Sequence, residues 1–182
     1  MTSEELIVKM CSPTLMGLKT GSMFSAKYRS AAKVKAELRR LNETLKPKGL
    51  LIMPLRFTEN RVLLYVCRMQ LLESDLSKPK VSFMLKKLGY PCESAEHSLL
   101  HLMRRMRTTA GFPHEVGLFL GYPPEDVLGF IKNKAKNYKA LGVWKVYGDT
   151  AKAQKSFDSF KKCSEETYRR FKSGVGLEQL IG

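Results

Sequence analysis

No apolar run in this sequence approaches the roughly 20 residues that a membrane-spanning helix needs. The longest are short pieces such as LLIMPL. No membrane partner is therefore expected. The opening residues, MTSEELIVKM, are acidic early and only briefly apolar, which is not the pattern of a secretory leader. Cysteines are few and scattered: Cys11, Cys67, Cys92 and Cys163, with no C-x-x-C pair. That usage fits a reduced, cytoplasmic protein better than a disulfide scaffold. Neither an internal repeat nor a low-complexity tract is visible. Acidic residues are also short: 17 Asp and Glu stand against 32 Lys and Arg, a formal net charge of +15. Such an excess draws anions by its long-range field.

Recognisable signatures are missing as well. The segment CSPTLMGLKTGSMF holds Gly17, Lys19, Thr20 and Gly21, but it lacks the G-x-x-x-x-G-K-[ST] order and any preceding strand, so it is not a phosphate-binding P-loop. No helix-turn-helix, RRM or KH pattern occurs. His97 and His101 are four apart on an expected helix, with Cys92 upstream. Arg104 shares their polar face and would repel a cation, so no metal site is expected and the pair reads as part of a solvated basic face with Arg105 and Arg107. No cofactor can be named.

What is present is ordinary globular patterning, with 43% hydrophobic and 27% charged residues. One domain over 1–182 is expected. Ala31, Val34, Leu38, Leu41 and Leu45, spaced three and four apart, predict a helix near 30–46 that Pro47 stops. GLLIMPLRF and RVLLYVCRM predict a hairpin over 50–68. Val62, Leu64 and Val66 alternate with Leu63, Tyr65 and Cys67, so both faces of that sheet should be covered. Pro54 should lie at an edge or bulge. Two short helices are expected over 70–90 and another over Ser94–Thr109. Residues 116–120 read as a buried strand, Pro123-Pro124 opens a helix, and 143–147 reads as a further strand. Together these suggest a βαβ unit over 116–147. Asp149 caps a long last helix, with a short tail packed on it over 149–182. The fold class is α+β, with α/β the alternative, helix-rich and with about four strands.

Three side-chain groups can carry chemistry. Ser12-Pro13 reads as an N-cap and first helical position, which would set Cys11 beside free N–H groups that lower a thiol's pKa. Lys19 could lower it further. His114 and Glu115 supply a base and an orienting carboxylate, the partners of a thiol nucleophile. The expected catalytic set is Cys11, His114 and Glu115. The binding alternative has Ser12, Thr14 and Lys19 hold a small anionic ligand, with Tyr122 at its edge. Whether Cys11 meets His114 decides between them. A further alternative is a basic module that binds nucleic acid or an acidic partner non-specifically, through Lys27, Arg29, Lys33, Lys35, Arg39 and Arg40.

Three segments together carry a resemblance: CSPTLMGLKTGSMF, FPHEVGLFLGYPPEDVLGFI and WKVYGD. The chain resembles a small family of uncharacterised bacterial proteins, a domain of unknown function marked by a Pro-His-Glu motif, here Pro113-His114-Glu115. The resemblance implies a cytoplasmic protein of one domain. It directs attention to the Cys-Ser-Pro-Thr and Pro-His-Glu segments as a shared site, and it implies no activity.

Overall fold

The computed structural model describes residues 3–108 and 111–182. In chain order the elements are α1 (Ser3–Leu15), β1 (Gly21–Lys27), α2 (Ala31–Leu45), β2 (Leu50–Phe57), β3 (Arg61–Arg68), α3 (Met69–Ser77), α4 (Pro79–Lys87) and α5 (Ala95–Thr108). Then follow α6 (Val116–Phe119), α7 (Pro124–Lys132), β4 (Ala140–Leu141), β5 (Lys145–Val146), α8 (Thr150–Lys172) and α9 (Leu177–Leu180). Thr109, the expected end of the fifth helix, lies outside the described residues. The class is α+β. None of these helices is long and apolar enough to cross a membrane.

The main sheet is antiparallel in the order β1-β3-β2. Its central strand β3 shows the expected alternation. Val62, Leu64 and Val66 join a core with Ile7 and Cys11 of α1, Leu38 and Leu41 of α2, and Leu177 and Leu180 of α9. Tyr65 and Cys67 join a second core with Leu72 of α3, Leu99 and Leu102 of α5, and Phe119 of α6. A sheet covered on both faces needs apolar residues at every position, and that is why β3 reads as a continuous apolar run. Pro54 sits on the edge strand β2, where the pairing register slips between Pro54 and Arg56. An edge strand tolerates a residue that cannot donate. Asn42 of α2 covers part of that edge, accepting from Ile52 N at 2.9 Å and donating to Ile52 O at 2.8 Å. Ser30 and Asp149 cap α2 and α8, each accepting from the backbone N–H three residues on.

Three expectations are corrected. Ser12-Pro13 does not open a helix; it lies in the last turn of α1, which starts nine residues before Ser12 at Ser3. Pro13 removes one backbone donor from the helix there, and the helix ends two residues later. Gly17, at φ +75°, closes a Schellman motif: Leu18 N donates to Pro13 O at 2.8 Å and Gly17 N to Thr14 O at 3.2 Å. Residues 116–120 are not a strand but the helical turn α6. A short buried apolar run has no period to distinguish the two. Here the turn lets Gly117 meet α7, where a Cβ would stand 2.8 Å from Val127 Cγ2. The βαβ unit over 116–147 is consequently absent. β4 and β5 instead form a two-residue antiparallel hairpin. Among the described residues the count of about four strands becomes five in two sheets: 116–120 is lost, and β1 and β4 are strands that were not expected.

Candidate functional site

The first motif is buried in α1. Cys11, Ser12 and Thr14 are all fully buried. Ser12 Oγ donates to Val8 O at 2.5 Å and Thr14 Oγ1 shares a hydrogen bond with Ser22 Oγ at 2.9 Å. These hydroxyls satisfy each other and the backbone, as buried polar groups must. Cys11 stands in the body of the helix, so no free N–H groups surround it. Burial pushes its thiol up to about 12, with Lys19 and the Ser22 hydrogen bond opposing. Lys19 is half-buried beside it, and desolvation lowers its ammonium to about 8. Its Nζ lies 5.3 Å from the centre of the Tyr122 ring.

The second motif divides. Glu115 is buried. Its Oε1 accepts from Tyr90 Oη at 2.9 Å and from Arg105 Nε at 2.7 Å. Tyr90 in turn carries the His101 ring at 4.4 Å between centroids. Arg105 was expected on the solvated face. It spans instead from α5 to the start of α6, and its side chain is 30% exposed. Glu115 is thus held by an ion pair rather than aimed at His114. His114 itself is exposed, stacked 5.0 Å from Phe130 and 6.3 Å from Phe112.

Cys11 and the Glu115 network belong to cores on opposite faces of the main sheet. No hydrogen bond or ring contact joins Cys11 to His114. The two segments approach elsewhere, at the β1 edge. Tyr65 Oη donates to Phe119 O at 2.5 Å. Gly21 passes so close that a Cβ there would stand 2.7 Å from both that carbonyl oxygen and the phenol. Thr20 Oγ1 donates to Asp75 Oδ2 beside Gly121. Of the expected site residues, Lys19 meets Tyr122, and Tyr122 and His114 line one cleft. Cys11, Ser12, Thr14 and Glu115 do not line it; they are buried in the body of the protein.

That cleft has a volume of about 430 Å³. Met23, Val116, Leu120 and Val127 form its apolar base, and His114, Tyr122, Phe130 and Trp144 its aromatic walls. The Tyr122 and Trp144 rings are 4.8 Å apart. Burial raises the Tyr122 phenol to about 12. Lys145 at the cleft donates to Ala135 O at 2.8 Å, one of its three N–H groups, and lies 4.7 Å from the Tyr138 ring centre. The far wall is the β4–β5 hairpin, and Asp126 fixes it. Asp126 Oδ2 accepts from Trp144 Nε1 at 2.7 Å, while Oδ1 accepts from Tyr147 N at 2.8 Å and Gly148 N at 2.7 Å. Sequence reasoning missed Tyr90, Arg105, Asp126, Phe130 and Trp144. The available signals were a carboxylate inside a buried run at Glu115, which demands a cation, and the aromatic and lysine residues packed between 130 and 147.

Among the described residues, no group of three or more His, Cys, Asp and Glu side chains is placed to hold a metal ion. The cleft's chemistry is that of a ligand pocket: large apolar and aromatic surface with a few polar groups. No curated protein and no solved structure matches this chain. The family described as "Protein of unknown function (DUF3793)" matches residues 7–181, and the chain belongs to that family.

Proposed function

We propose that the protein binds a small organic anion with a flat apolar body in the cleft between α6, α7 and the β4–β5 hairpin. The supporting observation is the combination of about 430 Å³ of aromatic-walled space with Lys145 and His114 beside it. Drug-sized ligands use clefts of about 300–1,000 Å³. Trp144, Tyr122 and Phe130 offer faces for a planar group. Lys145 retains two N–H groups for an acidic one, and His114 adds an imidazole that can donate or accept. The net charge of +15 favours the anionic form of any ligand by long-range attraction. Asp126 keeps its negative charge, since its three donors are neutral, but both its oxygens are turned to the hairpin, which leaves the acidic group of the ligand to Lys145 and His114.

The thiol version of the site has less behind it. Cys11 is fully buried with its pKa raised, the opposite of a reactive cysteine. The basic-module alternative rests on α2, where Lys33, Lys35 and Arg39 have no ion-pair partner among the described residues. Binding of a random DNA duplex at low salt, lost in Lys33→Ala/Lys35→Ala/Arg39→Ala, would favour it.

The cleft reading is tested with two dyes of similar shape. 1-Anilinonaphthalene-8-sulfonate carries an anionic group; N-phenyl-1-naphthylamine does not. The sulfonate should bind more tightly, and Lys145→Ala should remove the preference. Equal affinity for both dyes, unaffected by Lys145→Ala, overturns the anion assignment.

A further inference from the structure

The mouth of the cleft has an unusual surface. Leu141 is 64% exposed, and Phe112 and Val143, which line the cleft with it, are about half exposed. Leu128 and Ile131 are exposed three residues apart on α7, and Tyr138 lies in the loop beyond. Phe112, Leu141 and Val143, gathered at one mouth, mark a contact surface, whereas scattered exposed residues need no explanation.

The chain segment that carries most of them has charge of one sign. Between Asp126 and Asp149 the chain has no acidic residue, but it has Lys132, Lys134, Lys136, Lys139 and Lys145. None of these lysines has an ion-pair partner among the described residues. The loop is shaped by positive φ angles at Lys134, Ala135 and Asn137, and Lys139 Nζ is tied back to Gly148 O at 3.1 Å. Basic and apolar side chains therefore share one short stretch of surface.

We infer that the mouth of the cleft docks on an anionic lipid bilayer. Phe112, Leu141 and Val143 enter the headgroup–acyl boundary and the lysines meet the anionic headgroups. A bilayer satisfies both halves of the surface at once. Hydrocarbon takes the apolar tips, and the negative surface potential takes the lysines. Tyr138 and Trp144 are the residue types that favour the boundary between the two. Nucleic acid would engage the lysines but give Leu128, Ile131, Leu141 and Val143 nothing. This docking is peripheral and needs no spanning helix. It also does not depend on the small-anion reading, since Lys132, Lys134, Lys136 and Lys139, which that reading does not use, can meet the headgroups.

The test is co-sedimentation with phosphatidylcholine vesicles, with and without phosphatidylglycerol, together with quenching of Trp144 by brominated lipid. Trp144 is the only tryptophan. The protein should sediment with the anionic vesicles and Trp144 should be quenched. Phe112→Ser/Leu141→Ser/Val143→Ser leaves the charge unchanged and alters only exposed side chains. It should weaken binding about tenfold or more and abolish quenching, since binding scales with inserted apolar area. Lys161→Ala/Lys162→Ala on α8 should change neither. Absence of vesicle binding overturns the inference. So does a triple variant that binds and is quenched like the parent, or a random DNA duplex that displaces parent and triple variant from vesicles equally. A parent protein that binds anionic vesicles but neither dye would count against the small-anion reading alone.

Discussion

Trp144 donates its indole N–H to Asp126 Oδ2 at 2.7 Å. One carboxylate on the first turn of α7 thereby fixes the wall of a cleft whose other residues come from distant segments. The same carboxylate holds the turn out of β5 through Tyr147 N and Gly148 N. Three charge-assisted hydrogen bonds to one buried group make it the anchor of the hairpin.

Asp126→Ala should therefore leave three donors without their acceptor. The expected loss of stability is about 2–4 kcal/mol, from the cost of unsatisfied buried groups. Trp144 emission should shift to the red as the hairpin loosens. Urea denaturation followed by fluorescence reads both effects.

Gly21→Ala tests the junction that joins the first motif to the α6 turn. The added Cβ would meet Phe119 O and the Tyr65 phenol at 2.7 Å. Neither the carbonyl nor the fully buried Tyr65 can retreat without breaking their hydrogen bond. Overpacking of this kind costs about 1–3 kcal/mol. Ser22→Ala, one residue on, removes only the bond to Thr14 and should cost about 1 kcal/mol. A Gly21→Ala midpoint equal to the parent's would contradict the packing described.

Lys19 predicts a pH dependence. The unfolded chain holds this proton to its ordinary 10.5, while the folded chain releases it at about 8. Over that window the unfolded state binds more protons, so stability rises as pH increases from about 8 towards 10.5. Below pH 8 the half-buried ammonium is a standing cost. Lys19→Met should raise stability at pH 7 by about 1–2 kcal/mol, allowing for solvent screening. It should also flatten the rise above pH 8. The measurement is a series of denaturant titrations across that range.

Cysteine labelling separates the thiols. Cys11 and Cys67 are fully buried, and burial pushes both up to about 12. Cys92 and Cys163 are partly exposed. Iodoacetamide at pH 8 should modify Cys92 and Cys163 in the native protein, and Cys11 and Cys67 only on unfolding. Mass spectrometry of the digested protein assigns the sites. Rapid native labelling of Cys11 would return the thiol reading of the first motif to favour.

The legible parts of this fold are those set by local rules. The stripe Leu38, Leu41 and Leu45 marks α2, the two-sided apolar pattern marks β3, and Pro54 falls at the expected irregularity of an edge strand. The misread parts are a helix end with an ambiguous proline and a short run decided by tertiary contact. Pro13 could equally start a helix or lie in its last turn, and only Gly17 and its Schellman bonds settle which. Val116 to Leu120 could be strand or helix, and packing of Gly117 on Val127 selects the turn. The site was legible in fragments. His114, Lys19 and Tyr122 were singled out by residue type and do lie at or beside the cleft. Their expected partner Cys11 lies across the sheet. Asp126 gave no local signal, because its bond to Trp144 joins residues 18 positions apart.

The central claim is that the cleft beside Trp144 binds an organic anion. The most direct measurement is the emission of Trp144, the only tryptophan, during titration with 1-anilinonaphthalene-8-sulfonate. Quenching should saturate at one dye per chain. Affinity should be about 10–150-fold weaker in His114→Ala or Lys145→Ala, the scale of one lost hydrogen bond to a charged group. Dye binding that leaves Trp144 emission unchanged, or that is indifferent to both substitutions, would contradict it.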